Sequence, residues 1–351
     1  MKGHRIILHR APAEMRAAAF DRDDRPVGLF FQRWNGQNEP ARLGEVVSAR
    51  LRQVSPGDGG AFFERDNGES LFVRGKLPAG LTEGAERDLE IKGEARRGKL
   101  ARARLLNGTE NTSKTALERW IDAFPGQSSR PEIADGPEVM DQVQAAFDEA
   151  MSSKIGLPRG GLIRLERTAA LIAIDIDTAG RMQKGSAGAR ALSTNREAVA
   201  EAARQIALRD WGGLVVIDCI SPITAEAGAK LRETFLKTFQ AISQREVEAL
   251  KPSPFGLLET KIAWGASPVE DRLLDETGKP TPETELLGLF REAEREAAAS
   301  RAAFFRLTLS PHALKAYISR RKEADSILKS AFHGRVSIAS GTGQASVVRR
   351  E

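Results

Sequence analysis

The residues with the clearest chemical potential are three aspartates. Asp175 and Asp177 close the apolar run LIAIDIDTAG at residues 171 to 180, and Asp218 closes WGGLVVIDCI at 211 to 220. On a strand, side chains alternate, so Ile172, Ile174 and Ile176 share one face while Asp175 and Asp177 share the other. With a rise of about 3.3 Å per residue, the Cβ atoms of the two acids lie roughly 6.5 to 7 Å apart. Their carboxylates can converge on one hydrated cation and repel each other without it. Aspartate also closes strands simply because it favours turns, and Thr178-Ala179-Gly180 reads as a turn. Asp218 falls on the face opposite Val215, Ile217 and Cys219. Cys219 itself reads as a core residue.

Between the two strands, residues Thr194 to Arg209 read as a helix opened by the capping box Thr194-x-x-Glu197, with Val199, Ala202, Ala203, Ile206 and Ala207 as its apolar stripe. Strand, helix and strand form a crossover unit that sets neighbouring strands parallel, with their carboxyl ends at one edge, where ligands of α/β sheets collect. Asp175, Asp177 and Asp218 are therefore expected to meet. No histidine or cysteine with ligand spacing accompanies them, so the cation they suit is hard, Mg²⁺ or Mn²⁺. Magnesium keeps waters and prefers phosphate oxygens, and the chemistry implied is phosphodiester hydrolysis by a metal-activated water. Arg181 and Lys184, in the basic loop after Asp177, are placed to steer or neutralise a phosphate.

The chain that must position these residues has 351 residues, enough for two or three domains. Its 53 Lys and Arg against 48 Asp and Glu give a basic balance that suits a polyanionic partner. One cysteine excludes an internal disulfide and limits a zinc site to a single thiolate; the four histidines are scattered. No apolar run approaches the roughly 20 residues that span a bilayer, and the first residues lack the core of a signal peptide, so a cytoplasmic location is expected.

Residues 5 to 34 read as strands joined by a hairpin around DRDDRP. From Leu43 to Leu105, five short strands separated by glycine-rich turns predict a small barrel of the OB kind. Arg50, Arg52, Arg65, Arg74 and Lys76 lie among Phe62, Phe63 and Phe72, the mixture of cations and rings that a single-stranded nucleic acid needs. Phenylalanines in a barrel can equally be core, and one of the adjacent pair Phe62 and Phe63 must be. Residues 107 to 137 read as a linker with one short helical turn, and PEVMDQVQAAFDEAMSSK as a helix. The stretch GLIRLERTAALIAIDID reads as one strand.

The runs GGLIRLERTAALIAIDIDTAG, LSTNREAVAEAARQIALRDWGGLVVIDCI and FGLLE at 255 to 259 closely resemble the catalytic core of the RNase E/G family of bacterial endoribonucleases. The resemblance is specific over 160 to 260 and weaker on either side. It implies an α/β (α+β) multidomain fold. Residues 1–38 would give strands to an RNase H-like subdomain, 39–106 an OB-type RNA-binding barrel, 107–159 a linker and lead-in helix with a reduced sensor region, 160–265 the nuclease-like catalytic subdomain, and 266–351 a small C-terminal domain.

Carried over by position, the resemblance makes Asp175 and Asp218 the magnesium ligands and places Asp177 where the family usually has asparagine, as a third catalytic residue that orients the attacking water or joins the metal shell. It makes Phe62 and Phe72 contacts for RNA, leaves Phe63 for the core, and adds Arg74, Lys184 and Lys261 as cationic contacts. The cysteine pair that should follow FGLLE is missing, so no zinc is expected, and a homodimer would lack a zinc bridge. The apolar stripe Leu286, Leu287, Phe290 and Ala293 can supply such an interface or close a core. The short, polar 107–137 segment shows no counterpart of the family's 5′-phosphate pocket, so cleavage is expected to ignore the 5′ end. The implied activity is metal-dependent cleavage of single-stranded RNA; the alternative is an RNA-binding scaffold that kept the fold and lost the activity.

Overall fold

Three short apolar runs, buried on both faces, produce a meander of β1 (Arg5–Ala11), β2 (Glu14–Phe20) and β3 (Pro26–Arg33). The turn between β2 and β3 is the expected one: the Asp21 carboxylate accepts the N–H groups of Asp23 and Arg25 at 2.9 and 3.0 Å. This computed structural model describes residues 4–34, 39–96, 98–106, 114–125, 133–135, 137–179, 181, 185–300 and 302–350. The barrel follows: β4 (Val46–Ser55), β5 (Gly60–Glu64), β6 (Ser70–Arg74), β7 (Glu86–Gly93) and β8 (Ala101–Leu105), closed in the order β4-β5-β6-β8-β7. Leu51, Phe63, Leu71, Leu89 and Ile91 fill its interior.

Helix α1 (Ala116–Asp122) opens with a capping box between Thr115 and Glu118. Much of the 107–137 segment, on which the expected lack of a 5′-phosphate pocket rests, lies outside the described residues. Strand β9 (Ile133–Asp135) pairs parallel with β1 and completes a sheet of order β3-β2-β1-β9. Helix α2 (Met140–Met151) lays Val143, Ala146, Phe147 and Ala150 on that sheet.

The largest sheet joins β10 (Lys154–Gly156), β11 (Leu162–Arg167), β12 (Ile172–Asp177), β13 (Gly213–Asp218), β14 (Val247–Ala249) and β15 (Leu257–Ile262) in the order β10-β11-β12-β13-β15-β14. The stretch expected to be one strand is instead the antiparallel pair β11 and β12. Thr168 breaks it: its hydroxyl donates to the Leu171 carbonyl and accepts the Leu171 N–H, closing a turn. Strands β12 and β13 run parallel, joined by α3 (Ala187–Leu208). That helix starts seven residues before the expected capping box. Ser186 is its cap, accepting the Ala189 N–H, while Thr194 is buried within the helix and donates to the Arg190 carbonyl. Helices α3 and α4 (Ala225–Ile242) cover one face of the sheet, packing Val199, Ile206, Leu231 and Phe235 against Ile172, Ile174, Val215 and Ile217.

The remaining elements are α5 (Val269–Leu273), α6 (Pro282–Ala299), β16 (Phe304–Leu309), α7 (Pro311–Ser319), α8 (Arg321–Phe332), β17 (Val336–Ser340) and β18 (Ser346–Arg350), with sheet order β17-β16-β18. The stripe Leu286, Leu287, Phe290 and Ala293 closes a core with Phe305 and Trp34, so within this chain it is not an open interface. Buried Glu14 ties this unit to the N-terminal sheet by accepting from Arg33 at 3.0 Å and from Arg291. No helix among the described residues is long and apolar enough to cross a membrane.

Candidate active site

The six-stranded sheet has one face under helices and one face open. Period-2 alternation decides what the open face carries. Arg164 and Glu166 come from β11, Asp175 and Asp177 from β12, Asp218 from β13, and Glu259 and Lys261 from β15. Asp175 and Asp218 are direct partners in the parallel register, at the carboxyl ends of strands that run about 4.8 Å apart. Both are exposed. The chain after Asp218 is held by buried Asn195 of α3, whose amide donates to the Ile220 carbonyl and accepts the Ile220 N–H, both at 2.9 Å. Cys219 is core: burial, and then the Asp218 charge, push its thiol up to about 12, which leaves no thiolate for chemistry.

Asp177 takes a different place. Its carboxylate accepts the Ala179 N–H at 2.8 Å and the Arg164 guanidinium at 2.8 Å. These contacts, the backbone one first, hold it below the usual carboxylate range. Arg164 stands opposite Asp175 in the antiparallel register, and its Nε lies 4.0 Å from the Asp175 carboxylate. Among the described residues no group of three His, Cys, Asp or Glu side chains comes together to hold an ion. The expected convergence of three acids is thus a side-by-side pair, Asp175 and Asp218, with the third turned towards an arginine.

The expected cations fare unequally. Arg181 is not free to meet a phosphate: its side chain is 2% exposed, donating to the Gly160 carbonyl at 2.9 Å and to Glu197 at 2.6 Å. Glu197 also accepts from the Arg159 N–H, so the pair fastens the turn before β11 to the loop after β12. Lys184 lies outside the described residues. Lys261 is exposed on the open face but pairs with Leu214, four residues before Asp218, roughly 13 Å along the strand. Sequence reasoning missed Arg164 and Asn195, and it read Glu197 as a helix cap where the residue instead accepts from Arg159 and Arg181. Only the alternation of Arg164 with Ile163 and Leu165 was readable, and it fixed the face, not the partner.

On the barrel, Phe62 and Phe72 form a cross-strand pair on the outer wall with ring centroids 5.2 Å apart, while Phe63 is fully buried. Gly60 permits this: a Cβ there would come within 2.7 Å of the Phe72 ring and 2.2 Å of the Val73 carbonyl oxygen. Arg102 is the parallel partner of Phe72. A cleft of about 420 Å³ next to it is lined by Arg74, Lys76, Lys92, Arg102 and Arg104. Glu90 pairs with Lys92 and Arg104 at 2.5 and 2.7 Å, whereas Arg74, Lys76 and Arg102 have no ion-pair partner among the described residues. The barrel is fixed to the chain leaving β15: the Glu94 N–H donates to the Gly265 carbonyl, the Glu94 carboxylate accepts the Ser267 N–H, and Arg96 lies 4.1 Å over Trp264.

Residues 112–261 match the model of the Ribonuclease E/G family. Similar proteins include Ribonuclease E of Buchnera aphidicola subsp. Schizaphis graminum, 38% identical over 118 residues, which cover 34% of this chain and 12% of that protein. Ribonuclease E of Escherichia coli (strain K12) is 37% identical over 118 residues, covering 34% of this chain and 11% of that protein. Ribonuclease G of Salmonella typhimurium (strain SL1344) is 28% identical over 170 residues, covering 47% of this chain and 34% of that protein. The chain thus spans about a tenth of the two ribonuclease E proteins and a third of the ribonuclease G.

Proposed function

Because the chain belongs to the ribonuclease E/G family through its 112–261 segment, we propose that it is an endoribonuclease that hydrolyses phosphodiester bonds in single-stranded RNA. The observation that carries this reading is the register of Asp175 and Asp218, two exposed carboxylates side by side on an open sheet face. Two oxygen donors without a neighbouring soft ligand fit Mg²⁺ or Mn²⁺, leaving most of the coordination shell to water and phosphate. Such an ion, when bound, would activate a water and offset charge on the scissile phosphate. Asn195 holds the backbone that aims Asp218. Asp177 keeps Arg164 engaged and so keeps that guanidinium from competing for Asp175.

We infer that the barrel is of the OB type, since its order β4-β5-β6-β8-β7, with β6 parallel to β8, is the five-stranded Greek-key arrangement. Phe62 and Phe72 would stack bases, and Arg74, Lys76 and Arg102 would hold phosphates, with Lys261 a further contact. Residues 1–38 with β9 and α2 would form the RNase H-like unit, 160–265 the nuclease-like unit and 266–351 the small C-terminal unit. Cleavage independent of the 5′ end follows from the short 107–137 segment. The reading of an inactive RNA-binding protein draws on the absence, among the described residues, of a third His, Cys, Asp or Glu side chain grouped with Asp175 and Asp218.

The test is cleavage of an internally labelled, unstructured RNA with Mg²⁺, with EDTA, and by Asp175→Asn and Asp218→Asn proteins. Chelation and each substitution are expected to slow cleavage by about 100-fold or more while RNA binding persists. Tight binding by the wild type with no cleavage in Mg²⁺ or Mn²⁺ would establish the inactive reading instead.

A further inference from the structure

One line of side chains crosses the open face of the six-stranded sheet. Direct register partners join Lys154 of β10 to Arg164 of β11, Arg164 to Asp175 of β12, Asp175 to Asp218 of β13, and Asp218 to Leu257 of β15. Partners in register stand on the same face and strands lie about 4.8 Å apart, so the five side chains form a row about 19 Å long, perpendicular to the strands. The acidic pair lies inside the row, with cations at one end and an apolar residue at the other.

Phe255 extends the apolar end: it stands two residues before Leu257 and is 87% exposed. Its turn is fastened to the strands. The Gly256 N–H donates to the Ser253 carbonyl and the Ser253 N–H to the Leu257 carbonyl, both at 2.9 Å. The Gly256 carbonyl accepts the N–H of Cys219, next to Asp218, at 3.1 Å. Gly256 has a φ of +89°, and a Cβ there would stand 3.0 Å from the Cys219 carbonyl oxygen, so this close approach needs glycine. A ring left in water on a turn held in this way can stack a base at little ordering cost. At the other end Lys154 is exposed, with no carboxylate within 4.0 Å among the described residues. The next row along the sheet, Glu166, Ala173, Val216 and Glu259, carries carboxylates where the first carries Arg164 and Leu257. A polyanion that followed the strands would pass between those acids, whereas one that follows the first row meets cations and a ring.

Building on the endoribonuclease reading above, we propose that this row is the track of the RNA strand. The strand crosses the sheet with one phosphate on Lys154 and Arg164, the scissile phosphate over Asp175 and Asp218, and the base beyond it stacked on Phe255, which thereby sets base preference beside the cut. The probe is a hexaribonucleotide carrying 2-aminopurine at one position at a time, bound to the full chain with Ca²⁺ in place of Mg²⁺ and read by fluorescence, so that no cleavage is needed. Cleavage of the same RNAs in Mg²⁺ is followed separately. Phe255→Ala is expected to relieve quenching at one nucleotide, different from the one that Phe72→Ala affects, and to lower kcat/KM by about 5- to 150-fold. Phe255→Trp should keep both. Lys154→Gln should leave the stacked position unchanged and lower the slope of log K against log salt by about 0.7. Both side chains are exposed, so melting temperatures should not move. Quenching that Phe255→Ala leaves unchanged at every position, or a salt slope that Lys154→Gln leaves unchanged, overturns the track, and cleavage by the wild type would then still support the endoribonuclease reading. The expected binding pattern in a wild type that cuts nothing would overturn that reading and keep the track. Absence of binding overturns both.

Discussion

Removing the Asp177 carboxylate should change metal affinity through Arg164. In Asp177→Asn the guanidinium loses its 2.8 Å partner while remaining 4.0 Å from Asp175. Arg164 and Asp175 are 40% and 61% exposed in their side chains, so the appropriate screening is close to that of water. At about 4 Å the attraction is then about 1 kcal/mol, a factor of about five in the affinity of any cation that must displace Arg164 from Asp175. Arg164→Gln alone should act oppositely, leaving Asp177 unpaired beside the aspartate pair. It should tighten Mn²⁺ while raising KM for RNA through repulsion of the phosphate. The double variant should return Mn²⁺ affinity to within about twofold of the wild type. The assay is Mn²⁺ binding by electron paramagnetic resonance, which needs no activity, followed by kcat and KM at saturating metal. Unchanged or tighter Mn²⁺ binding by Asp177→Asn with Arg164 present would refute this account. Loss of all Mn²⁺ binding in Asp177→Asn would instead make Asp177 a ligand.

The barrel should show its role in binding alone. Phe72→Ala is expected to weaken single-stranded RNA binding by about 1 to 3 kcal/mol, and Arg102→Ala to lower the slope of log K against log salt by about 0.7, both measured by fluorescence anisotropy. Glu14 should govern acid stability. Burial alone would raise its pKa, but Arg291, Arg33 and Arg16 outweigh burial and bring it down to about 2, against 4.5 when unfolded. Its contribution, about 3 kcal/mol, is therefore fully present above pH 4.5 and lost as pH falls towards 2. Glu14→Gln should lower the Tm at pH 7, and the difference should narrow in acid. Asp210 has the opposite sign, with its folded pKa raised to about 7 from 3.8. The stability of its protonated form is full below pH 3.8 and is lost as pH rises through 7. Asp210→Asn, tolerated at a φ of +55°, should stabilise the chain by about 4 kcal/mol at pH 8 and by little at pH 4, as read by chemical denaturation.

Much of this was legible in the residues alone. The five barrel strands, the α3 crossover between β12 and β13, and the sharing of one face by Asp175 and Asp177 all follow from side-chain periodicity and turn chemistry, which act between near neighbours. Even so, local signals competed: Thr194-x-x-Glu197 has the form of a cap, yet Ser186 takes the cap by accepting the Ala189 N–H, and Thr194 is buried inside the helix. Nothing local stated that Asp175 would face Asp218, that Arg164 would reach Asp177, or that Arg181 would be consumed by Glu197. Nor could a stripe on α6 say whether Trp34 or a second subunit would cover it. Alternation fixes the face on which a side chain stands because successive residues are covalently joined. Its partner is fixed only when distant strands dock in one register, where burying the apolar face leaves a single alignment free of penalty.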